Sequence, residues 1–233
     1  MATGEPRGTS EASEPGVLRV FTSKAESKAF YDKIAKVYDL LAEHSEGPVR
    51  QAALDSLAVR EGEKILEIGF GTGHCLAAIA KAVGPEGKAY GMDISEQMLL
   101  HTRALAEREQ VAERVELHCG DATRLPFPDA SLDGVFMSFT LELFDTPEIL
   151  LVLAECKRVL RAGGRMVVAG MSKEDAHGAV FEMYEWSHRH FPNFVDCRPI
   201  FVRRAIEAAG FSVREAQTMM MWVPVEIVAA VKL

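Results

Sequence analysis

The feature that most constrains the fold is a glycine-rich turn between an apolar segment and a helical pattern, in EKILEIGFGTGHCLAAIAK, residues 63–81. KILEIG predicts a strand, and the residues from Gly73 to Val83 predict a helix. The alternating Gly69, Gly71 and Gly73 allow a tight turn and let a ligand approach where a Cβ would collide. This order predicts a ligand site at the carboxyl end of a parallel sheet.

Strands and helices continue to alternate along the chain. A helix is predicted from Ser95 to about Glu109, with Ser95 as its cap, and another in TPEILLVLAECKRVLRAGG. In the second helix Thr146 is the expected cap, Pro147 suits the first position and Gly163 the exit. The strands predicted around these helices are KAYGMDI, RVELHCG, LDGVFMSF and GRMVVAGM. This rhythm predicts an α/β fold, a doubly wound three-layer sandwich with helices on both faces of a parallel sheet.

The two ends of the chain differ from this rhythm. Residues 1–22, rich in Gly, Pro, Ser, Thr and Glu, are predicted to form a disordered tail ahead of a single domain at 23–233. Within that domain we expect a helical cap at 30–60 and a substrate lid at 172–200. The last two strands, FSVREAQ and MMMWVPVEIVAAVK, have no helix between them, which predicts an antiparallel hairpin at the sheet edge.

Composition limits the kinds of partner. Acidic residues outnumber basic ones by 34 to 26, and no dense run of Lys or Arg exists, which argues against nucleic acid as a partner. The four cysteines form no CxxC pair, so neither a metal site nor a disulfide framework is predicted, and scattered thiols fit a reducing cytoplasm. The sequence shows no signal peptide and no apolar segment long enough to span a bilayer.

Three acids follow three successive strands and indicate which ligand the glycine turn binds. The GxGxxG motif that binds nicotinamide dinucleotides would need its third glycine at the position of His74. Glu67, just before the turn, would repel a pyrophosphate but suits a ligand with an ammonium group, such as S-adenosylmethionine, which carries no phosphate. Asp93 is placed to accept both ribose hydroxyls, and Asp121 to accept from the adenine amino group.

In the order and spacing of its motifs, the sequence resembles the class I S-adenosylmethionine-dependent methyltransferases. The resemblance covers roughly residues 30–171, in YDKIAKVYDLL, ILEIGFGTG, GMDISEQML, GDATRLPFPDASLDGV and RVLRAGGRMVV. Within that family, the ubiquinone and menaquinone C-methyltransferases and related small-molecule enzymes are the most similar group. The resemblance implies a seven-stranded, mostly parallel sheet whose last strand is antiparallel, and S-adenosyl-L-methionine as cofactor.

The resemblance also assigns residues to the methionine end of the cofactor. Glu67, Gly69, Gly71 and Gly73 would surround that end, and Ser138, just past the fourth strand, would lie near the sulfonium.

For the nucleoside end, the resemblance assigns the residues that follow the second and third strands. Asp93 would bind the ribose, and Ile94 and Met98 would pack on the adenine. Asp121 and the Ala122 N–H would face the adenine edge.

Two tyrosines match aromatic positions of the family's N-terminal helix, whereas other positions depart from the family. Tyr31 and Tyr38 would close over the cofactor through a hydroxyl or a cation–π contact, and core packing of an amphipathic helix explains them equally well. Glu142 stands where many relatives carry His after the fourth strand, and Phe70 fills a loop position that is often small.

The acceptor is expected to be small and largely apolar: a phenol or quinol, a thiol or an amine. Candidate contacts are Phe139 after the fourth strand, and Trp186, His188, Cys197 and Arg198 in the lid. An apolar contact between two copies of the chain explains the lid equally well, so a homodimer is left open. No residue is assigned as a general base.

Two other functions fit parts of the pattern. A nicotinamide-dependent oxidoreductase is disfavoured by His74 and Glu67. A non-catalytic protein that binds S-adenosylmethionine, or an interaction module with the same fold, is disfavoured by the intact glycines and by Asp93.

Overall fold

The strands of this chain form one seven-stranded sheet in the order β3-β2-β1-β4-β5-β7-β6. The computed structural model describes residues 17–20, 29, 46–174, 183, 186 and 197–233. Strands β1 to β5 pair in parallel, whereas β7 pairs antiparallel with both β5 and β6. The predicted α/β class and the antiparallel last strand are therefore confirmed. The strands are β1 (Lys64–Ile68), β2 (Lys88–Asp93), β3 (Val115–Cys119), β4 (Leu132–Ser138), β5 (Leu160–Met171), β6 (Ser212–Met220) and β7 (Pro224–Val231).

Helices cover both faces of this sheet. They are α1 (described over residues 46–57), α2 (His74–Ala82), α3 (Glu96–Arg108), α4 (Thr146–Val159) and α5 (Val202–Ala208). Alternate residues of each strand face opposite sides, so Ile65 packs in a core with α1, α2 and α3, and Leu66 in a second core with α4 and α5. No helix in the described ranges is long and apolar enough to cross a bilayer.

The cap predicted for α3 is confirmed, and the one predicted for α4 is wrong. The Ser95 hydroxyl accepts a hydrogen bond from the Met98 N–H at 3.1 Å. In α4, Thr146 is the first helical residue, and the cap is Asp145, whose carboxylate accepts from the Thr146 N–H at 2.9 Å. Arg19 fixes that carboxylate with an Nε–Oδ1 distance of 2.7 Å.

The end of α4 also differs from the prediction. The helix ends at Val159, because Leu160 adopts extended backbone and pairs with Leu132 of β4. Gly163, the expected helix exit, lies inside β5 with a φ of +73°.

The terminal hairpin is confirmed, with a different division of its residues. Met219 and Met220 belong to β6, and the turn precedes Pro224. The apolar β7 is buried between β5 and β6, so the half-exposed β6 forms the sheet edge. Most of the predicted tail, about half of the helical cap and most of the lid lie outside the described residues. Within the tail, Val17 packs in the second core and Arg19 pairs with Asp145.

Candidate functional site

The candidate site lies at the carboxyl edge of the sheet, where the strand order reverses. The chain proceeds outward from β1 to β2 and β3 on one side, and returns to β4 on the other. Open α/β sheets bind ligands in the crevice at this point. The glycine turn follows β1, Asp93 ends β2 and Ser138 ends β4. The sheet therefore brings these predicted residues to one edge.

The glycine turn combines close packing with one open position. Gly69, Gly71 and Gly73 have φ values of +72°, +51° and +90°, a region that L side chains rarely adopt. A Cβ at Gly69 would lie 2.3 Å from the Thr140 hydroxyl, and one at Gly73 would lie 2.5 Å from Thr102. A Cβ at Gly71 would meet no atom of the described residues within 4 Å. Gly71 therefore faces open space that a ligand can fill.

Asp93 fixes the glycine turn against the start of α3. One carboxylate oxygen accepts from the Gly71 N–H at 3.0 Å, and the other accepts from the Ser95 N–H at 2.9 Å. An ionised carboxylate has about four lone-pair sites, so these bonds leave capacity for ligand hydroxyls. Sequence reasoning missed this role in the turn, because residues 71 and 93 meet only once β1 and β2 pair.

Around the end of β3, the predicted nucleoside residues differ in exposure. The Asp121 carboxylate accepts from the Thr123 N–H at 2.9 Å and is partly exposed. Ile94 is also partly exposed, whereas Met98 and Ala122 are buried in the two cores. Since Asp93 pairs with Cys119 in register, Asp121 lies close to the end of β2.

Glu67 is a buried carboxyl group with an unused hydrogen-bonding atom. The residue is 2% exposed, and its Oε2 has no hydrogen-bond partner among the residues that the structure describes. Burial raises its pKa well above the ordinary value; the Arg50 charge opposes this shift, and the Asp93 charge adds to it. A buried, unpartnered carboxylate is costly, so a cationic ligand group beside it would be stabilised strongly. This site fits the ammonium group of S-adenosylmethionine.

The backbone turns abruptly after β4. Phe139 is buried and has a φ of +52°, which is uncommon for a bulky residue. Its N–H donates to the Ala169 carbonyl at 2.8 Å, and the Thr140 hydroxyl donates to the Ser138 carbonyl at 3.0 Å. The buried Ser138 hydroxyl oxygen has no hydrogen-bond partner within the described part of the chain.

Sequence reasoning noted Glu142 only as a departure from a family residue, and the structure makes it a member of the site. Its side chain is fully buried, and its Oε1 accepts from the Met171 N–H at 3.0 Å. Its Oε2 has no hydrogen-bond partner in the described ranges. Burial raises the pKa of Glu142 to about 7. A Glu after an apolar strand, in SFTLELF, was the available signal, but its burial could not be read from the sequence.

The predicted acceptor contacts are not equally placed. Arg198 is fully buried and donates to the Leu18 carbonyl at 2.6 Å and to the Phe144 carbonyl at 2.7 Å, so it ties segments of the chain together. Cys197 is half-buried and packs against the first core, and Trp186 is 53% exposed. The predicted residues Tyr31, Tyr38 and His188 lie outside the described residues.

Known proteins are similar to this chain both in sequence and in structure. Residues 65–164 match a family model described as a methyltransferase domain. A demethylmenaquinone methyltransferase of Staphylococcus aureus is 31% identical to this chain over 214 residues, a match that covers 81% of this chain and 86% of the relative.

Solved structures share the fold at lower identity. A SAM-dependent methyltransferase of Aquifex aeolicus superposes with a TM-score of 0.62 at 24% identity, covering 91% of this chain and all (100%) of the other. The cyclase SpnF superposes with a TM-score of 0.74 at 16% identity, covering 94% of this chain and 99% of the other.

Proposed function

Because this chain belongs to the class I S-adenosylmethionine-dependent methyltransferases, we propose that it methylates a small, largely apolar acceptor at the carboxyl edge of its sheet. Its cofactor is S-adenosylmethionine. The observation that carries the site assignment is the buried Glu67 carboxyl, whose Oε2 has no partner among the described residues, just before a glycine turn with an open position at Gly71.

We assign the methionine end of the cofactor to the glycine turn. Glu67 would bind the ammonium group, the Gly69, Gly71 and Gly73 backbone would surround it, and Ser138 would lie near the sulfonium. The support is that Ser138, like Glu67, keeps a buried oxygen without a partner in the described residues. Binding a positive group next to such oxygens removes the penalty of burying them.

The nucleoside end is assigned to the ends of β2 and β3. Asp93 would accept from the ribose hydroxyls, with Ile94 and Met98 on the adenine face. Asp121 and Ala122 would meet the adenine edge. Support comes from the register of β2 and β3, which places the ends of both strands together. Tyr31 and Tyr38 are proposed to close over the cofactor from the predicted cap at 30–60.

For the acceptor, we favour a phenol or quinol over a thiol or an amine. The name of the Staphylococcus aureus relative specifies a menaquinone precursor, and the present chain is 31% identical to it. Phe139 and the predicted lid at 172–200, with Trp186, His188, Cys197 and Arg198, are the proposed acceptor contacts.

Cofactor binding is tested by calorimetry on the full chain with S-adenosylmethionine, for the wild type and for Glu67→Gln. Loss of a hydrogen bond to a charged group is worth about 1.5–3 kcal/mol, so affinity should fall about 10- to 150-fold. The matched control is Glu63→Gln, at the opposite end of the same strand, where Arg165 pairs with the carboxylate at 2.6 Å. Equal affinity of wild type and Glu67→Gln would contradict the assignment.

Methyl transfer itself is tested by incubating the protein with radiolabelled methyl donor and a cell metabolite extract, followed by mass spectrometry of the labelled product. A labelled small molecule is expected. Donor binding without any labelled product would favour a non-catalytic binding protein.

A homodimer and a cytoplasmic location are also proposed. The exposed apolar side chains of Met183 and Trp186 would form the contact between copies if the lid serves dimerisation instead of the acceptor. The four cysteines are all free thiols, as is usual for a reducing compartment. Light scattering on the full chain should give twice the mass of one chain, and a monomer would contradict the dimer.

A further inference from the structure

A second buried carboxyl group lies at the same edge of the sheet as Glu67, but over β4 and β5. After the turn at Phe139, Thr140 packs against Gly69, so this segment borders the glycine turn directly. The 3-10 turn Leu141–Leu143 then brings Glu142 to the end of β5, where it contacts Met171. Glu142 is therefore on the side of the glycine turn opposite to Asp93.

The two oxygens of Glu142 have different surroundings. Oε1 accepts from the Met171 N–H, which anchors the side chain. Oε2 would lie 2.9 Å from a Cβ at position 170, so Gly170 provides the space for this oxygen. Among the described residues Oε2 has no hydrogen-bond partner. In contrast, both oxygens of Glu63 accept from the Arg165 guanidinium, at 2.8 and 2.6 Å. A carboxylate that only stabilised the fold would be expected to use both oxygens.

Two charged groups and two backbone N–H groups influence the Glu142 carboxyl. Burial raises its pKa, and the N–H groups of Met171 and of Glu142 itself oppose that effect. Glu46, from α1, raises the pKa further, while Arg198 lowers it. Glu46 is itself paired with Arg50 at 2.5 Å. The resulting pKa of about 7 allows the group to accept and release a proton near neutral pH.

We propose that Glu142 is the general base of the methyl transfer and that the acceptor presents a phenol-type hydroxyl at the atom that is methylated. This inference rests on the proposed methyltransferase function and adds the atom that is methylated, the hydroxyl oxygen, and a catalytic residue. A buried oxygen without a partner in the described chain can receive the hydroxyl proton. An acceptor that arrives as a neutral hydroxyl also avoids the cost of burying an anion next to the fully buried Glu142 carboxyl.

The reaction balances with the acceptor hydroxyl, the methyl donor and the Glu142 carboxylate, and needs no further reactant. An electron pair of the hydroxyl oxygen forms the new O–CH3 bond while the methyl–sulfur bond breaks, and the electron pair of the broken bond stays on sulfur. The hydroxyl proton moves to Oε2 of Glu142 and is later released to water. The products are the methyl ether, S-adenosylhomocysteine and one proton.

The test compares two acceptors with the same ring system, 2-naphthol and 2-naphthalenethiol. Thiols ionise more readily than phenols, with pKa values of about 8.5 and about 10 for the cysteine and tyrosine side chains. A thiol therefore needs less help from a base. Glu142→Gln should lower kcat/KM for 2-naphthol about 10²- to 10⁴-fold and for 2-naphthalenethiol less than about threefold. The wild-type kcat/KM for 2-naphthol should rise with pH through about 7, and this inflection should be absent in the variant.

Two controls separate catalysis from folding. Glu226→Gln makes the same change at a buried carboxyl on β7, whose Oε2 accepts from the Arg203 N–H, and should leave both rates within about twofold of wild type. In protein labelled with ¹³C at glutamate carboxyls, a signal that titrates near pH 7 in the wild type should be missing in Glu142→Gln and still present in Glu67→Gln.

The possible outcomes distinguish this inference from the proposed function. Equal losses for both acceptors, no loss for either, or methylation of the thiol alone by the wild type would overturn the role of Glu142. A wild type that binds S-adenosylmethionine but methylates neither probe would overturn the phenol class, while the extract screen still decides the methyltransferase function. Failure to bind S-adenosylmethionine would overturn both.

Discussion

The two edges of the sheet treat carboxyl groups in opposite ways. At the amino edge, Glu63 pairs with Arg165, and Asp133 accepts from the Lys64 N–H at 2.8 Å and from Arg161 at 2.5 Å. At the carboxyl edge, Glu67 and Glu142 are more deeply buried, and each keeps one oxygen without a partner in the described residues. Acids at the amino edge are thus salt-bridged, whereas two deeply buried acids at the carboxyl edge, unlike the hydrogen-bonded Asp93, each keep one oxygen unpartnered within the described ranges.

The pKa values follow this difference. Burial alone would raise the pKa of Glu63, but hydrogen bonds from Arg165 and the Arg60 N–H, together with the Arg165 charge, hold it below the ordinary value. At Glu67 burial dominates, and the pKa is well above the ordinary value. Paired acids stabilise the folded chain at neutral pH, whereas unpaired buried acids destabilise it until a ligand arrives. The comparison indicates that the amino edge serves stability and the carboxyl edge serves binding.

The largest expected effect comes from removing a cation at the amino edge. Arg165→Leu leaves the buried Glu63 carboxylate unpaired and removes donors to the Leu57 and Ala58 carbonyls, so it should lower the free energy of unfolding by about 3–5 kcal/mol at pH 7. Urea denaturation measures this change.

The pH dependence adds a second readout for the same variant. Because the pKa of Glu63 is lowered in the folded state, its stabilisation is present above the ordinary glutamate pKa and is lost as the pH falls through the folded-state pKa. The difference in unfolding free energy between the wild type and Arg165→Leu should therefore become smaller at acid pH. A gap that widened in acid would contradict the pairing.

At the carboxyl edge, a substitution that removes a buried charge should raise the free energy of unfolding instead of lowering it. The folded-state pKa of Glu142 is raised to about 7, so between the ordinary glutamate pKa and pH 7 the folded state binds more protons, and stability falls as the pH rises. Glu142→Gln removes this penalty and should stabilise the chain at pH 8 by up to about 3 kcal/mol, with little change at pH 4. Thermal unfolding at both pH values checks this; destabilisation at pH 8 would indicate a structural role for the charge.

The smallest expected effect comes from alanine substitutions at two glycines. Comparing them distinguishes blocked access of the ligand from strain in the backbone. Gly71 and Gly163 have φ values of +51° and +73°, and a Cβ at either would lie more than 4 Å from every atom in the described part of the chain. Alanine at each should therefore lower stability by a similar amount, about 1–2 kcal/mol. Only Gly71→Ala should weaken S-adenosylmethionine binding in calorimetry. Equal affinities for the two variants would place the cofactor away from the glycine turn.

Sequence reasoning reached the sheet, its order of elements and the location of the edge site, because these depend on local periodicity and on the glycine spacing. The Ser95 cap was predicted correctly, since a cap acts within three residues. The Asp145 cap was missed because Arg19, which is 126 residues away, helps to fix it. Burial is likewise a property of the assembled sheet, so the pattern could not show that Glu142 and Arg198 are fully enclosed.

The position of β7 has a consequence for the order in which the chain can fold. This strand is spatially interior, between β5 and β6, although it is made after both. Until residues 224–231 leave the ribosome, β5 and β6 expose unpaired backbone groups that neighbouring chains can capture. The sheet is therefore completed only after synthesis of β7, and the emerging chain depends on rapid insertion of this strand, or on chaperones, to escape aggregation.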